Sequence, residues 1–275
     1  MHIFEGKTAK MRRRGSFEAV RFSADRQKTI FCEGIMGSAN TTLKRYEKKY
    51  LLSDEQYCAL QKCLEPHVEH DEFFKSTVCT IYYDSDDYAL IRSSIEKPVY
   101  KEKLRVRSYN TPDIHGKVFV ELKKKFKGVV YKRRVRMEAG QAEAYLAGRE
   151  APPFENQVIR ELDWFLRVNP VTPKVFLACE RSAYVAKEDP DLRITFDQNL
   201  RWRDTELDLT KGHHGQPLID PGNVLMEIKI PGTMPVWLAT MLSELKIFPA
   251  SFSKYGTCYK KHILHEYIDG VIDYV

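Results

Sequence analysis

Basic residues recur at alternate positions in one stretch of the chain, from Lys101 to Arg136. The stretch holds 13 Lys and Arg against 3 Asp and Glu, whereas the rest of the 275 residues hold 31 against 35. Arginine offers phosphate oxygens a fork of hydrogen-bond donors, and lysine offers a point charge. This concentration of bases therefore indicates a site for a polyanion such as a chain of phosphates.

One carboxylate, Glu121, stands on the same strand face as these bases. A site that only binds phosphate gains nothing from a negative charge at that place. A divalent metal ion that bridges the carboxylate to phosphate explains it. This face therefore predicts a phosphate site that also holds a metal ion.

A strand pattern positions the basic side chains. In Lys103–Arg107 three bases alternate with two apolar residues, and side chains on a strand point to opposite faces at each step. Lys117–Lys123 and Val130–Arg136 alternate in the same way, and glycines mark the turns between the three strands. We predict an antiparallel meander with one apolar and one cationic face. A solvated outer surface would show the same pattern, but bases opposite each other on neighbouring strands repel unless an anion lies between them.

Five other segments have strand character, which brings the predicted total to eight: Leu43–Leu52, Ser76–Asp84, Lys174–Lys187, Leu192–Asn199 and Val224–Ile230. Helices are predicted at Ser53–Pro66, where Ser53 and Gln56 form a capping box, and at Asp86–Glu96, Met137–Gly148, Phe154–Arg167, Met234–Leu245 and Lys254–Ile268. Every strand carries charges on one face. A closed antiparallel barrel would direct these faces into its lumen, with helices over the apolar face.

Several classes of protein are excluded by what the chain lacks. It has no G-x-G-x-x-G, no P-loop and no G-x-S-x-G motif, so Rossmann, P-loop and serine-hydrolase chemistry do not apply. The six cysteines form no C-x-x-C pair and no zinc spacing, so we expect free thiols and a cytoplasmic location. No apolar run approaches the roughly 18 residues of a membrane span, and Met1–Arg14 lacks the apolar segment of a secretory signal. Residues 1–40 are predicted to be a flexible tail or a start-site extension, and residues 41–275 the folded domain.

The charged strand faces belong to eight short motifs that follow one another between Thr42 and Lys261. They are RYEKKY (45–50), LRVR (104–107), VELK (120–123), VYKRR (130–134), ERSAY (180–184), RITFD (193–197), EIK (227–229) and FSKY (252–255). Each is weak alone, but the ordered set is specific. Together they resemble the VTC (vacuolar transporter chaperone) polyphosphate polymerase domain, within the triphosphate tunnel metalloenzymes.

The resemblance implies a mainly β (α+β) fold, an eight-stranded antiparallel β-barrel tunnel with helices packed outside and a C-terminal helix. It implies a nucleoside triphosphate substrate and Mn²⁺ or Mg²⁺ as cofactor. The residues that it implies are the catalytic cations Arg105, Arg107 and Lys123, the substrate-binding cations Lys49, Lys103, Lys132, Arg134, Arg181, Arg193 and Lys254, and the metal ligands Glu227 and Glu121. For Glu227 the alternative is a salt bridge to a neighbouring base.

Two positions depart from the pattern. Arg45 stands where the superfamily motif E-x-E-x-K has its first glutamate, and Ser251 stands where a lysine is expected near the tunnel mouth. The missing glutamate leaves a second metal ligand in doubt. It also favours the polymerase branch over the hydrolases.

The predicted function is metal-dependent phosphoryl transfer from ATP to a growing inorganic polyphosphate chain inside a cationic tunnel. Two alternatives stay open. A hydrolase of inorganic or nucleoside triphosphate differs only in its acceptor and would favour more carboxylates. A non-catalytic polyphosphate- or RNA-binding module would interleave aromatic residues with its bases, and Glu121 and Glu227 would weaken it, so nucleic acid is not expected. The predicted partners are ATP and inorganic polyphosphate or triphosphate, with a membrane-protein partner left open.

Overall fold

The computed structural model describes residues 46–127 and 129–264 of the chain. In this part the strands are β1 (Tyr46–Leu52), β2 (Val68–Asp84), β3 (Tyr100–Tyr109), β4 (Lys117–Phe126), β5 (Val129–Glu138), β6 (Thr172–Ala186), β7 (Arg193–Arg203), β8 (Gln216–Pro217) and β9 (Val224–Ile230). The helices are α1 (Asp54–Leu64), α2 (Ala89–Ile95), α3 (Ala139–Leu146), α4 (Gln157–Val168), α5 (Val236–Glu244) and α6 (Lys254–Cys258), with a 3₁₀ turn at Leu209–Lys211 and a π-helical turn at Tyr259–Ile263. The predicted tail over residues 1–40, and Arg45, lie outside the described residues.

All nine strands belong to one antiparallel sheet. Their order is β1-β9-β7-β6-β2-β3-β4-β5, and the short β8 pairs with β7. The strands β3, β4 and β5 form the predicted meander, with Glu121 opposite Arg105 on one side and opposite Arg134 on the other. The mainly β fold with helices packed around a curled antiparallel sheet is confirmed.

The sheet has a tunnel-like form but is not closed as a barrel. Its two end strands, β1 and β5, do not pair with each other within the described residues. The segment after α5 lies against β1 instead, where the amide of Ala250 donates to the carbonyl of Lys49 at 2.7 Å. The predicted eight-stranded barrel is therefore a loose description of this sheet, which has nine strands and is not closed within the described residues.

The outer face of the sheet holds two apolar cores. Leu104, Val120 and Leu122 are fully buried in a cluster that includes residues of α3 and α4. Phe196 and Ile228 are fully buried in a second cluster, which includes residues of α1 and α5. Because side chains alternate along a strand, these apolar contacts direct the residues in between to the inner face.

The C-terminal helix packs on the inner face of the sheet. Tyr255 of α6 lies in a buried cluster with Leu177 and Trp202. Its ring stacks on Tyr82 at 4.7 Å, and its hydroxyl donates to Oδ2 of Asp84 at 2.9 Å. The helix therefore fills one end of the interior with apolar side chains and leaves the charged residues in the remainder.

The boundaries of the predicted elements are mostly close to those observed. The capping box of α1 is present, since the Ser53 hydroxyl accepts from the amide of Gln56 at 3.2 Å and the Gln56 side chain accepts from the amide of Ser53 at 3.2 Å. The largest difference concerns β2, which begins at Val68 and not at Ser76. Its first half is acidic, and its register shifts between His70 and Lys75, so alternation does not reveal it.

The structure also bears on the predicted thiols and on the search for a membrane span, for the residues that it describes. The cysteines of the described residues are free thiols, as expected: Cys58, Cys63, Cys79, Cys179 and Cys258. Among the helices between residues 46 and 264, none has the length and apolar character that a membrane crossing requires.

Candidate active site

The inner face of the meander carries the cations of the basic stretch. Lys103, Arg105 and Arg107 lie on the face of β3 opposite to its buried apolar residues. Lys103 stands directly across from Lys123 on β4, and Lys123 stands across from Lys132 on β5. Like charges opposite each other destabilise a sheet, so this wall of the interior favours a bound anion.

Glu121 is a counter-ion at the centre of this wall. It is fully buried, and it accepts from Arg105 (Nε 2.8 Å, Nη2 2.7 Å), from Lys132 (2.7 Å) and from Arg134 (2.6 Å). Burial by itself raises the pKa of Glu121, but Arg105 and the other cations outweigh burial and hold this pKa well below its usual range. Three cations therefore occupy the oxygens of Glu121, which leaves little room for a metal ion.

Asp197 and Glu227 form a second acidic pair, on β7 and β9. Arg181 donates two hydrogen bonds to Asp197 (2.6 and 2.7 Å), and Lys254 donates a further one. Glu227 is held less tightly, with Lys49 at 3.2 Å, Lys254 at 3.6 Å and Arg181 at 4.0 Å. Burial raises the pKa of both carboxyls, but Lys254 and the other bases lower it by more than burial raises it. Both pKa values therefore lie below their usual range, and both carboxyls are ionised at neutral pH.

Three cations of the inner face have no carboxylate partner within the described residues: Lys103, Arg107 and Lys123. The ammonium of Lys103 lies 3.4 Å from Oγ of Ser253, and burial together with neighbouring lysines lowers the pKa of Lys103 to about 8. Burial and the charge of Arg105 also lower the pKa of Arg107 and of Lys123, although Glu121 acts on Arg107, and Glu47 on Lys123, in the opposite direction. A buried charge without a partner is costly, and a bound polyanion would supply the missing negative charge.

A small cavity lies where β2, β3, β6 and α6 meet. Its volume is about 20 Å³, and its lining includes Thr80, Tyr82, Arg107, Arg181 and Lys254. Thus two of the predicted substrate-binding cations and one of the predicted catalytic cations meet at a single point, although they come from three different elements.

The remaining predicted residues lie nearer the solvent. Arg193 begins β7, has a side chain that is 52 % exposed, and pairs with Asp71 at 3.4 Å, so it lies at a rim of the interior and not at its centre. Lys132 and Arg134 are also partly exposed at the edge strand β5, and Arg134 stacks over the ring of Phe119 at 4.1 Å. The structure therefore separates Arg193 from the other cations.

Three residues of the site were missed by sequence reasoning. Asp197 had a signal, since it alternates with Arg193 and Thr195 on one strand face. Thr80 and Tyr82 had none, because β-branched and aromatic residues are ordinary in a strand. Only the pairing of β2 with β3 places Thr80 opposite Arg107 and Tyr82 opposite Arg105.

The residues of the interior fit a divalent metal ion whose other ligands come from phosphate and water. No cluster of three or more His, Cys, Asp or Glu that could hold a metal alone occurs within residues 46–127 and 129–264. Mg²⁺ and Mn²⁺ need only one or two carboxylates when phosphates and water supply the other oxygens. Glu227 suits this role because its ion pairs are loose, and Glu47 lies near it, with Lys49 3.5 Å from Glu47 and 3.2 Å from Glu227.

A buried hydroxyl next to Glu227 supports the same interpretation. Thr195 stands across from Glu227 in the register of β7 and β9, and its buried Oγ1 has no hydrogen-bond partner among the described residues. A buried polar atom without a partner is uncommon and needs an explanation. Phosphate oxygens or metal-bound water beside Glu227 would provide one.

Comparison with protein families agrees with this geometry. The family model of the VTC domain matches residues 44–263, which is most of the chain and nearly all of the described part. The chain belongs to the VTC domain family. The match covers Glu121, the acidic pair Asp197 and Glu227, and the three cations without carboxylate partners (the unpaired cations). These residues of the interior therefore all lie within the VTC domain. Among curated proteins, none matches this chain.

Solved structures resemble the VTC domain more distantly. A Bacillus halodurans protein assigned as an adenylate cyclase is 16 % identical, with a TM-score of 0.48 over 75 % of this chain and 92 % of that chain. A Hippeastrum adenylyl cyclase described as having a dominant triphosphatase activity is 17 % identical, with a TM-score of 0.45 over 76 % and 92 %. A Pyrococcus horikoshii protein is 14 % identical, with a TM-score of 0.42 over 79 % and 99 %. Similarities this low say nothing about what the VTC domain of this chain does.

Proposed function

We propose that this VTC domain transfers the γ-phosphoryl group of ATP to the end of a growing inorganic polyphosphate chain. The observation that carries the proposal is the set of half-buried inner-face cations without carboxylate partners in the described structure, Lys103, Arg107 and Lys123. These three leave a surplus of positive charge inside the protein. A phosphate chain is the ligand whose repeated negative charge matches a row of such cations.

The cations would act on the transferring group by electrostatics. The charge of a transferring phosphoryl group is spread over its outer oxygens, and fixed positive groups stabilise that charge without reorganisation. Arg107 and Lys123 lie on neighbouring strands of the same inner wall, offset by four positions in the register, so they can contact different phosphates of one chain. No protein nucleophile is required, since an oxygen of the terminal phosphate of the polymer can attack the γ-phosphorus of ATP while its bond to the β,γ-bridging oxygen breaks and ADP leaves.

The carboxylates favour transfer to phosphate over transfer to water. Activation of water needs a carboxylate that is free to take a proton. Glu121 is held by three cations and Asp197 by two, and the pKa of each is lowered by these bases, so neither is suited to be a general base.

Glu227 would hold the divalent metal, with Glu47 beside it. When bound, Mg²⁺ or Mn²⁺ neutralises part of the phosphate charge and keeps the reacting groups in line. Lys49 and Lys254, which pair with Glu227, would turn to the phosphate oxygens and so keep their charges compensated.

The proposal is tested by incubating the purified protein with ATP and Mn²⁺ or Mg²⁺ and separating the products by gel electrophoresis. We expect a ladder of polyphosphate. Lys123→Met should lose this activity, whereas Lys124→Met should keep it, because Lys124 lies on the outer face and pairs with Glu102 and Glu161. Orthophosphate in place of polymer would show a triphosphatase. Binding of triphosphate without any turnover would show a binding module, and either result would reject the proposal.

A further inference from the structure

The cavity at the junction of β2, β3, β6 and α6 is lined by five residues with strong hydrogen-bond donors and by Val78, Leu177, Ala178 and Cys179. Arg107, Arg181 and Lys254 contribute cations to its lining, and Thr80 and Tyr82 contribute hydroxyls. Arginine and lysine have no acceptor atoms, whereas a hydroxyl has one donor and two acceptor positions. The polar side chains around the cavity are therefore mainly hydrogen-bond donors.

Each of the two hydroxyl oxygens already accepts a hydrogen bond from an arginine. Oγ1 of Thr80 accepts from Nε of Arg107 at 3.2 Å, and the hydroxyl oxygen of Tyr82 accepts from Nη1 of Arg105 at 3.2 Å. Neither hydroxyl donates to any acceptor within residues 46–127 and 129–264. Both residues are buried, with 4 % and 8 % of their surface exposed. A buried donor without an acceptor costs free energy.

The size of the cavity limits what can supply that acceptor. About 20 Å³ is enough for one water-sized atom. One oxygen of a phosphate group has this size, carries negative charge, and accepts several hydrogen bonds at once. The surrounding cations also influence Tyr82, because burial raises its pKa but Arg105, Arg107 and Lys103 lower it to about 8. The positive charges and the hydrogen bond from Arg105 thus outweigh the effect of burial on this phenol.

We propose that Thr80 and Tyr82 donate hydrogen bonds to an oxygen of a phosphate group, in an oxyanion pocket that they form with Arg107, Arg181 and Lys254. The inference rests on the proposed function, since it requires that phosphate enters the interior. It adds two neutral donors to the cations Arg107, Arg181 and Lys254 around this cavity. Their geometry is fixed, because each hydroxyl is held by an arginine directly across from it on β3.

The test measures the affinity for inorganic triphosphate and for ATP by calorimetry. Tyr82→Phe removes one oxygen and keeps the ring that stacks on Tyr255, and Thr80→Val removes the other hydroxyl with little change of shape. Each variant should bind both ligands about tenfold more weakly, the loss expected for a hydrogen bond to a charged group. Tyr83→Phe is the matched control, because Tyr83 is the next residue on β2 and packs in the outer core. It should bind as the wild type does.

A double-mutant cycle separates direct donation from the positioning of Arg105. If Tyr82 contacts phosphate, Tyr82→Phe should cause about the same loss of affinity in an Arg105→Met background as in the wild type. If the loss disappears in that background, Tyr82 acts only through Arg105 and the proposal is wrong. Equal affinities of wild type, Tyr82→Phe and Thr80→Val would also reject it, while leaving the proposed function intact. Absence of triphosphate binding by the wild type would instead reject the proposed function, and this inference with it.

Discussion

Arg105 and Arg107 stand two residues apart on the same face of β3, yet the structure gives them different counter-charges. Arg105 makes two short contacts with the buried Glu121, at 2.7 and 2.8 Å. Arg107 has no carboxylate partner within the described residues, and it bonds only to the hydroxyl of Thr80. Replacing each by methionine removes the charge and keeps an unbranched apolar side chain of similar length. The two variants should therefore differ in stability.

The size of the difference follows from the contacts. Removing one partner of a buried ion pair costs about 3–5 kcal/mol. Glu121 keeps Lys132 and Arg134, so we expect the lower part of this range or less, about 2 kcal/mol, for Arg105→Met. For a domain of this size that lowers the melting temperature by about 4–8 °C. Arg107→Met relieves repulsion from Arg105 and Arg181, so its melting temperature should be unchanged or higher by a few degrees.

Both variants should nevertheless lose affinity for triphosphate by about tenfold or more, because each removes a charge-assisted contact to phosphate. The assay is scanning calorimetry with a chelator and without phosphate, followed by titration with inorganic triphosphate. Equal destabilisation by the two substitutions would contradict the assignment of Glu121 to Arg105. A normal triphosphate affinity of Arg107→Met would contradict the role of the unpaired cations.

Three further predictions concern the acidic clusters and the inner helix. Glu227→Gln should abolish metal-dependent turnover and leave most of the triphosphate affinity, because the cations remain, and turnover at the wild-type rate would remove Glu227 from the metal role. Folding lowers the pKa of Asp197, so its ion pairs contribute fully to stability above the unfolded-state pKa of 3.8, and this contribution is lost as the pH falls through the folded-state pKa. Asp197→Asn should therefore melt at a lower temperature than wild type at pH 7, and its melting temperature in calorimetry should fall less steeply at acid pH. Tyr255→Phe removes the hydrogen bond from α6 to Asp84 and should cost about 1–3 kcal/mol in chemical denaturation, whereas an unchanged denaturation midpoint would show that this hydrogen bond does not stabilise the fold.

Much of the fold was predictable because alternation is a local property. A strand whose side chains alternate between apolar and charged residues shows both faces in its own sequence, and the meander around Lys123 is of this kind. The capping box of Ser53 and Gln56 is equally local. The family resemblance also rests on short motifs within single strands. Most of the elements, their faces and the cationic character of the interior therefore needed no knowledge of the tertiary structure, with the first half of β2 as the exception.

The roles of the carboxylates could not be predicted in this way. Glu121 and Glu227 look alike in sequence, since each shares a strand face with lysines. Their difference arises from residues distant in the chain: Arg105 and Arg134 reach Glu121 from both neighbouring strands, whereas Glu227 has looser contacts. How strongly a carboxylate is compensated depends on distances of a few tenths of an ångström across the sheet, and a strand pattern does not contain them.

The strand patterns and motifs alone establish the type of interior, in which the strands of a VTC domain place basic side chains on the inner face. Which of these charges lack a partner depends on the tertiary structure. The register of β3 against β2 and β4 pairs Arg105 with an acid and Arg107 with a hydroxyl. The physical reason is that backbone alternation follows from local geometry, whereas charge compensation follows from contacts between segments that the fold brings together.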